Sequence, residues 1–135
     1  MHILICDDDR TFGSRMSDYV TAYFTARGLP VQTTVCTCAQ QVLEVPELEQ
    51  YQLALLDVDM PGTNGIALGR QLKQTVPDIR LVYVSAYLEF APEGYTVNAY
   101  RYLLKRDIVR MLPKCLEDLL AEQTDGKRTL TVRHN

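Results

Sequence analysis

At 135 residues the chain is sized for one domain, long enough to bury a core without disulfide or metal staples. Its composition is that of an ordinary soluble globular protein, and the net charge of −3 is uneven, with residues 1–100 at −6 and residues 101–135 at +3. No run approaches the ~18 apolar residues of a membrane span, and Met1-His2 leads straight into a strand-like run rather than a signal peptide, so the expectation is a cytoplasmic protein.

In chain order, Ile3-Leu4-Ile5-Cys6 is a short apolar strand that halts at Asp7-Asp8-Asp9. From Arg10 to Arg27, Phe12, Met16, Tyr19, Val20, Tyr23 and Phe24 recur at helical spacing. Asp9 or Thr11 can cap the front of that helix, and Gly28 is placed to end it before Leu29-Pro30. Val31 to Cys38 is β-branched and predicts strand two. Gln40 to Gln50 reads as a weak helix interrupted by Pro46. Leu53 to Asp57, followed by Val58, Asp59 and the turn formers Pro61 to Gly65, is the most informative stretch. A fully apolar run with turn signals behind it suits a central parallel strand, buried on both faces. Gly65 to Thr75 predicts a third helix and Leu81-Val82-Tyr83-Val84 a fourth strand stopping at Ser85. A fourth helix around Leu88 to Val97 contains Pro92 and Gly94, poor helix formers, which marks it as the least stable. Tyr100 to Leu104 forms strand five and meets Lys105. A last helix puts Ile108, Met111, Leu112, Cys115, Leu116 and Leu119 on one face, bent or started late by Pro113.

Five strands alternating with helical patterns predict an α/β doubly wound domain with a parallel sheet. The segment after Gln123 falls outside that count. Thr124-Asp125-Gly126 is linker-like, and Lys127 to Arg133 alternates like a strand with no ladder to join. It either pairs with a partner or begins a further domain, and the second reading is favoured.

The strand ends gather the chemistry. They bring Asp7 and Asp8, Asp57 and Asp59, Ser85, and Lys105 to one edge, which in open α/β sheets is where ligands bind. Converging carboxylates repel unless a cation intervenes, and a hard cation with oxygen ligands such as Mg2+ answers that need. A lysine that pairs with a carboxylate can also pair with a phosphoryl group. Metal, cation and carboxylate acceptor are the parts of phosphoryl transfer. The four cysteines, Cys6, Cys36, Cys38 and Cys115, lie in apolar patterns without a zinc spacing and read as buried free thiols. His2 and His134, one at each end, form no ligand set. Arg101, Arg106, Arg110 and Lys114 against Glu93, Glu117 and Asp118 read as a solvated, salt-bridged face.

Asp7-Asp8, Asp57 to Gly65, Ser85-Ala86 and Tyr102 to Lys105 fall in an order and spacing that resembles the receiver domain of two-component response regulators, over residues 2–122. The resemblance implies a flavodoxin-like five-stranded sheet of order 2-1-3-4-5 with helices on both faces. It implies Asp57 as acceptor of a phosphoryl group from a sensor histidine kinase. It implies Mg2+ held by Asp8, Asp57 and the backbone carbonyl of Asp59, with Asp7 reaching it through water. Lys105 then contacts the phosphoryl group, and Ser85 and Tyr102 form a switch pair. It also implies homodimerisation on phosphorylation, through the fourth helix, fifth strand and last helix. Gly94 to Lys105 is similar to regulators with a LytTR-type DNA-binding domain, so residues 1–122 are read as the receiver and 123–135 as a linker and the severed start of that domain. Transcription control would then rest on DNA contacts made outside this sequence. The family's usual Lys-Pro is here Lys105-Arg106; a cis bond before a non-proline costs about 2.5–4 kcal/mol, so a trans bond is open. Asn64 stands where aspartate is commoner in the family.

The competing reading is an enzyme, a haloacid-dehalogenase-like phosphatase using Asp57 and Asp59. That family places its DxD motif near the chain start, in a longer core. A flavin module lacks support, because the loop after strand one is acidic and repels a phosphate.

Overall fold

The computed structural model describes residues 1–87 and 99–133, with side chains as far as Gln123 apart from Thr63. Five parallel strands, β1 (His2–Cys6), β2 (Gln32–Cys36), β3 (Leu53–Asp57), β4 (Arg80–Ser85) and β5 (Arg101–Leu104), form one sheet in the order 2-1-3-4-5. This is the flavodoxin-like arrangement, in which the strand order reverses between β1 and β3. In β3 every residue is buried. The register pairs Ile5 with Leu55 and Leu55 with Val82, so one apolar layer crosses the sheet at a single height.

Side-chain alternation separates two cores. Ile3, Ile5, Leu53, Leu55, Val82, Val84 and Leu103 face α1 (Arg10–Ala26) and the C-terminal helix (Ile108–Arg133). Leu4, Cys6, Ala54, Leu56, Leu81 and Tyr83 face α2 (Ala39–Leu43) and α3 (Gly65–Thr75). Asp7, Asp57 and Lys105 continue the alternation of Ile5, Leu55 and Leu103. Chain periodicity alone therefore sends them toward the first of these faces, at the carboxyl edge.

The helix ends follow their capping chemistry. Asp9 caps α1, its Oδ1 accepting the Phe12 N–H at 3.2 Å. The other end closes as a Schellman motif: Gly28 takes φ +67°, its N–H reaches the Thr25 carbonyl, and the Leu29 N–H reaches that of Phe24. Asn64 caps α3 by accepting the Ala67 N–H at 2.8 Å. The residue in the family's aspartate position therefore does an aspartate's capping work here.

Several expectations need correction. Residues 40–50 divide into α2 and a 3-10 turn at Leu48–Gln50, because Pro46 cannot donate a ladder bond and Glu47 takes φ +57°. The residues after β3 do more than stop it: Asp59–Met60 and Thr63–Asn64 pair as a small antiparallel hairpin. Pro61-Gly62 forms its turn, Gly62 supplying φ +81°. The last helix begins at Ile108, ahead of Pro113, and runs past it. The missing N–H costs one helical bond near Val109, which is exposed. The strand expected over Lys127 to Arg133 is helical backbone instead, continuous with that helix. Extending a helix already nucleated on the core needs no partner strand. Cys38 is exposed, because β2 ends at Cys36 and the chain turns there into α2; Cys6, Cys36 and Cys115 are buried free thiols as expected. The fourth helix expected over residues 88–97, the pairing of Glu93 and the place of His134 lie outside the described residues. Among the described residues no helix is long and apolar enough to cross a membrane.

Candidate functional site

The site is built where β1, β3 and β5 end. The β1–β3 register pairs Cys6 with Leu56, so the next residues, Asp7 and Asp57, leave the sheet side by side. Asp7 and Asp57 are buried and Asp8 is exposed, yet one carboxylate oxygen from each lies within 4.8 Å of the other two. Neighbouring backbone orients the acids. Asp7 Oδ1 accepts the Asp9 N–H at 2.8 Å, and Asp57 Oδ1 accepts the Asp59 N–H at 3.4 Å. The Asp7 N–H itself donates to the Cys36 carbonyl at 3.1 Å, tying the acidic turn to β2.

Lys105 closes the group from β5. Its Nζ is 2.9 Å from Asp7 Oδ2 and 3.7 Å from Asp57 Oδ2. Burial works against the ammonium, but the bond to Asp7 and the charges of Asp57, Asp7 and Asp8 outweigh it and hold its pKa above the usual lysine value. Burial pushes the Asp57 carboxyl well above the ordinary carboxylate range, and the charge of Asp7 adds to the rise, against the pull of Lys105. Asp57 is thus a carboxylate short of positive charge. Asp7 Oδ2 is buried and, beyond the ion pair with Lys105, receives no hydrogen bond. An oxygen-only donor set of three carboxylates, faced by a single ammonium, fits a hard divalent cation such as Mg2+.

The backbone under Asp57 requires glycine. A Cβ on Gly65 would lie 2.1 Å from the Asp57 carbonyl oxygen, and the Gly65 N–H donates to Val58 at 2.9 Å. Only a residue without a side chain lets α3 begin directly beneath the acid.

The model of the response regulator receiver domain matches residues 3–116. The chain belongs to the response regulator receiver family. An uncharacterised response regulatory protein of Yersinia pestis is 32% identical over 104 residues, covering 75% of this chain and 40% of that protein. The transcriptional regulatory protein LytR of Staphylococcus aureus is 29% identical over 66 residues, 49% of this chain and 27% of its own. The chain thus spans about a quarter to just over half of the curated relatives it matches. Among solved structures, the response regulator TrrA of Thermotoga maritima, in complex with Mg(2+)-BeF, superposes with a TM-score of 0.66 at 19% identity, covering 87% of this chain and 97% of that one.

In this receiver the residues singled out from sequence take different places. Asp7, Asp8, Asp57 and Lys105 come together. Ser85 ends β4 and is fully buried, and its Oγ accepts the Tyr87 N–H at 3.0 Å. The Tyr102 hydroxyl donates to the Tyr87 carbonyl at 2.9 Å. Asp59 is exposed, with its N–H directed at Asp57. The Lys105-Arg106 bond is trans, as no described peptide bond is cis. Of the charged face, Arg101 pairs with Asp118 at 3.2 Å and Arg110 with Asp107 at 3.5 Å. Sequence reasoning missed Phe12. Its spacing predicts a core position of α1, yet Lys105 Nζ sits 4.7 Å from the centre of its ring. Its place three residues beyond the Asp9 cap was the available signal.

Proposed function

We propose that Asp57 is the phosphoacceptor of a two-component signalling switch, charged by a sensor histidine kinase. The observation that carries this reading is the buried Asp57 carboxylate, grouped with Asp7 and Asp8 and faced by Lys105. Receiver domains are signalling modules rather than conventional enzymes, and the chemistry asked of this one is a single group transfer. An Asp57 oxygen attacks phosphorus, the bond to the donor nitrogen breaks, and an acyl phosphate remains. Asp8, Asp57 and the Asp59 carbonyl would hold Mg2+, with Asp7 acting through water. Mg2+ when bound supplies the positive charge that keeps Asp57 ionised and neutralises phosphoryl oxygens. Lys105, already within reach of Asp57, pairs with the incoming phosphoryl group.

Ser85 and Tyr102 act as the switch pair through Tyr87, whose N–H is held by one and whose carbonyl is held by the other. A phosphoryl oxygen that draws Ser85 Oγ away releases one side of that clamp and shifts the population of two conformations. The face of the fourth helix, fifth strand and last helix then dimerises. Residues 123–135 lead into a LytTR-type DNA-binding domain through which a cytoplasmic regulator controls transcription.

Incubation with acetyl phosphate and Mg2+, followed by intact-mass measurement, should show one phosphoryl group per chain, absent in Asp57→Asn and slowly lost by hydrolysis. Multiple turnover of a phosphomonoester would instead support the phosphatase reading with Asp57 and Asp59. Sedimentation should show a dimer only with a phosphoryl mimic.

A further inference from the structure

We infer that Phe12 is a positioning residue for Lys105, its ring face holding the ammonium between Asp7 and Asp57; this rests on the phosphoacceptor reading above. The contacts form a closed circuit. Asp7 Oδ1 accepts the Asp9 N–H, and Asp9 Oδ1 accepts the Phe12 N–H. The Phe12 ring meets Lys105 Nζ at 4.7 Å, and Nζ returns to Asp7 Oδ2 at 2.9 Å. Three consecutive acids thus do more than crowd one edge. The first pairs with the lysine, and the third sets the helix turn that carries the ring.

The physical need is plain. Lysine is a point charge on a flexible four-carbon stem, and fixing it costs side-chain entropy. The Lys105 side chain is 23% exposed, so water competes with Asp7 and Asp57 for the ammonium wherever no protein group covers it. The Phe12 ring face covers part of the ammonium and adds attraction through its quadrupole, which strengthens as the cation loses water. An aliphatic side chain of similar size fills the space without the attraction. Phe12 is packed against the core of α1 and the C-terminal helix, so its ring is not free to leave.

The test replaces Phe12 with pentafluorophenylalanine, which keeps the shape but removes the negative ring face, and compares Phe12→Leu and Phe12→Tyr. Labelling by acetyl phosphate at saturating Mg2+ should slow about three- to tenfold with the fluorinated ring or leucine, and Phe12→Tyr should restore it to within about twofold. In the resting protein the Lys105 Cε protons should resonate upfield through the ring current and move back in Phe12→Leu. Wild-type labelling with the fluorinated ring would overturn the inference. So would unchanged Lys105 resonances in a folded Phe12→Leu. If the wild-type protein takes no label at all, the phosphoacceptor reading fails, and the Lys105 resonances still decide the role of Phe12.

Discussion

Asp57 pays electrostatically for its position. Its folded pKa is raised by burial and by Asp7. Between the ordinary range near 3.8 and that raised value, the folded state therefore holds a proton that the unfolded chain has released. Stability from this group is full below the ordinary value and is lost as pH rises through the raised one. Without divalent ions the melting temperature should fall as pH rises from about 4 toward neutrality. Asp57→Asn should flatten that slope and stabilise the metal-free domain at pH 7 by at least about 1 kcal/mol, a shift of several degrees. Mg2+ should raise the wild-type melting temperature at pH 7 and leave Asp57→Asn nearly unmoved, a comparison that calorimetry reads directly. Lys105→Ala removes the cation nearest Asp7, which should destabilise the metal-free domain by about 1–3 kcal/mol in urea unfolding. The same change should tighten Mg2+ binding several-fold, since a positive competitor has gone. The acids and the lysine were legible in the sequence because each ends an apolar run, and strand ends converge in a parallel sheet. Phe12 was not, because its helical spacing already accounted for it as core, and a ring's second contact leaves no trace in periodicity.

At the scale of elements, α3 shows how close packing reads in a sequence. Gly65 and Gly69 lie one helical turn apart on its buried face. A Cβ on Gly69 would lie 2.1 Å from the Tyr83 hydroxyl and 3.0 Å from its Cζ. Alanine in a helix interior gains about 1 kcal/mol over glycine, whereas overpacking costs about 1–3 kcal/mol, so Gly69→Ala should destabilise on balance. The Tyr83 hydroxyl makes only a 3.5 Å contact with the Ile66 carbonyl, so Tyr83→Phe should cost little. In that background Gly69→Ala should recover part of its loss, since the ring Cζ and Leu81 Cδ1 still crowd the new Cβ, and a double-mutant cycle in urea should show coupling above about 0.5 kcal/mol. Gly65→Ala should find no such rescue, because it meets the backbone of Asp57. The long elements were legible in outline: α3 matches its expected bounds, and each strand of the sheet was found within two residues at either end. The two-residue hairpin after β3 was not, being too short for any periodicity, although Pro61-Gly62 carried its turn.

At the scale of the whole molecule, the described residues clasp a five-stranded sheet between two cores, and the last helix packs on the first of them. Ile108, Leu112, Cys115, Leu116 and Leu119 are buried against the first core. Near the end of that run Asp118 and Glu122 pair with Arg101 and Arg80, at 3.2 and 3.0 Å, pinning the helix to β5 and β4. The alternation of Lys127 to Arg133 looked like a strand because a two-residue period is short and common, and nothing local reveals that a helix arrives from upstream. Among the helix residues whose side chains are described, the last buried one is Leu119, and burial dominates stability, whereas exposed ion pairs add about 0–1 kcal/mol each. A chain ending at Gln123 should therefore unfold in urea within about 0.5 kcal/mol of the full chain and keep the same slope. Ending it at Glu117 removes buried Leu119 with both ion pairs and should cost about 2–4 kcal/mol. If the shorter cut proves harmless, the C-terminal helix is held by its first turns alone. If the cut at Gln123 destabilises, the continuation to Arg133 carries a share of the fold that the buried face does not reveal.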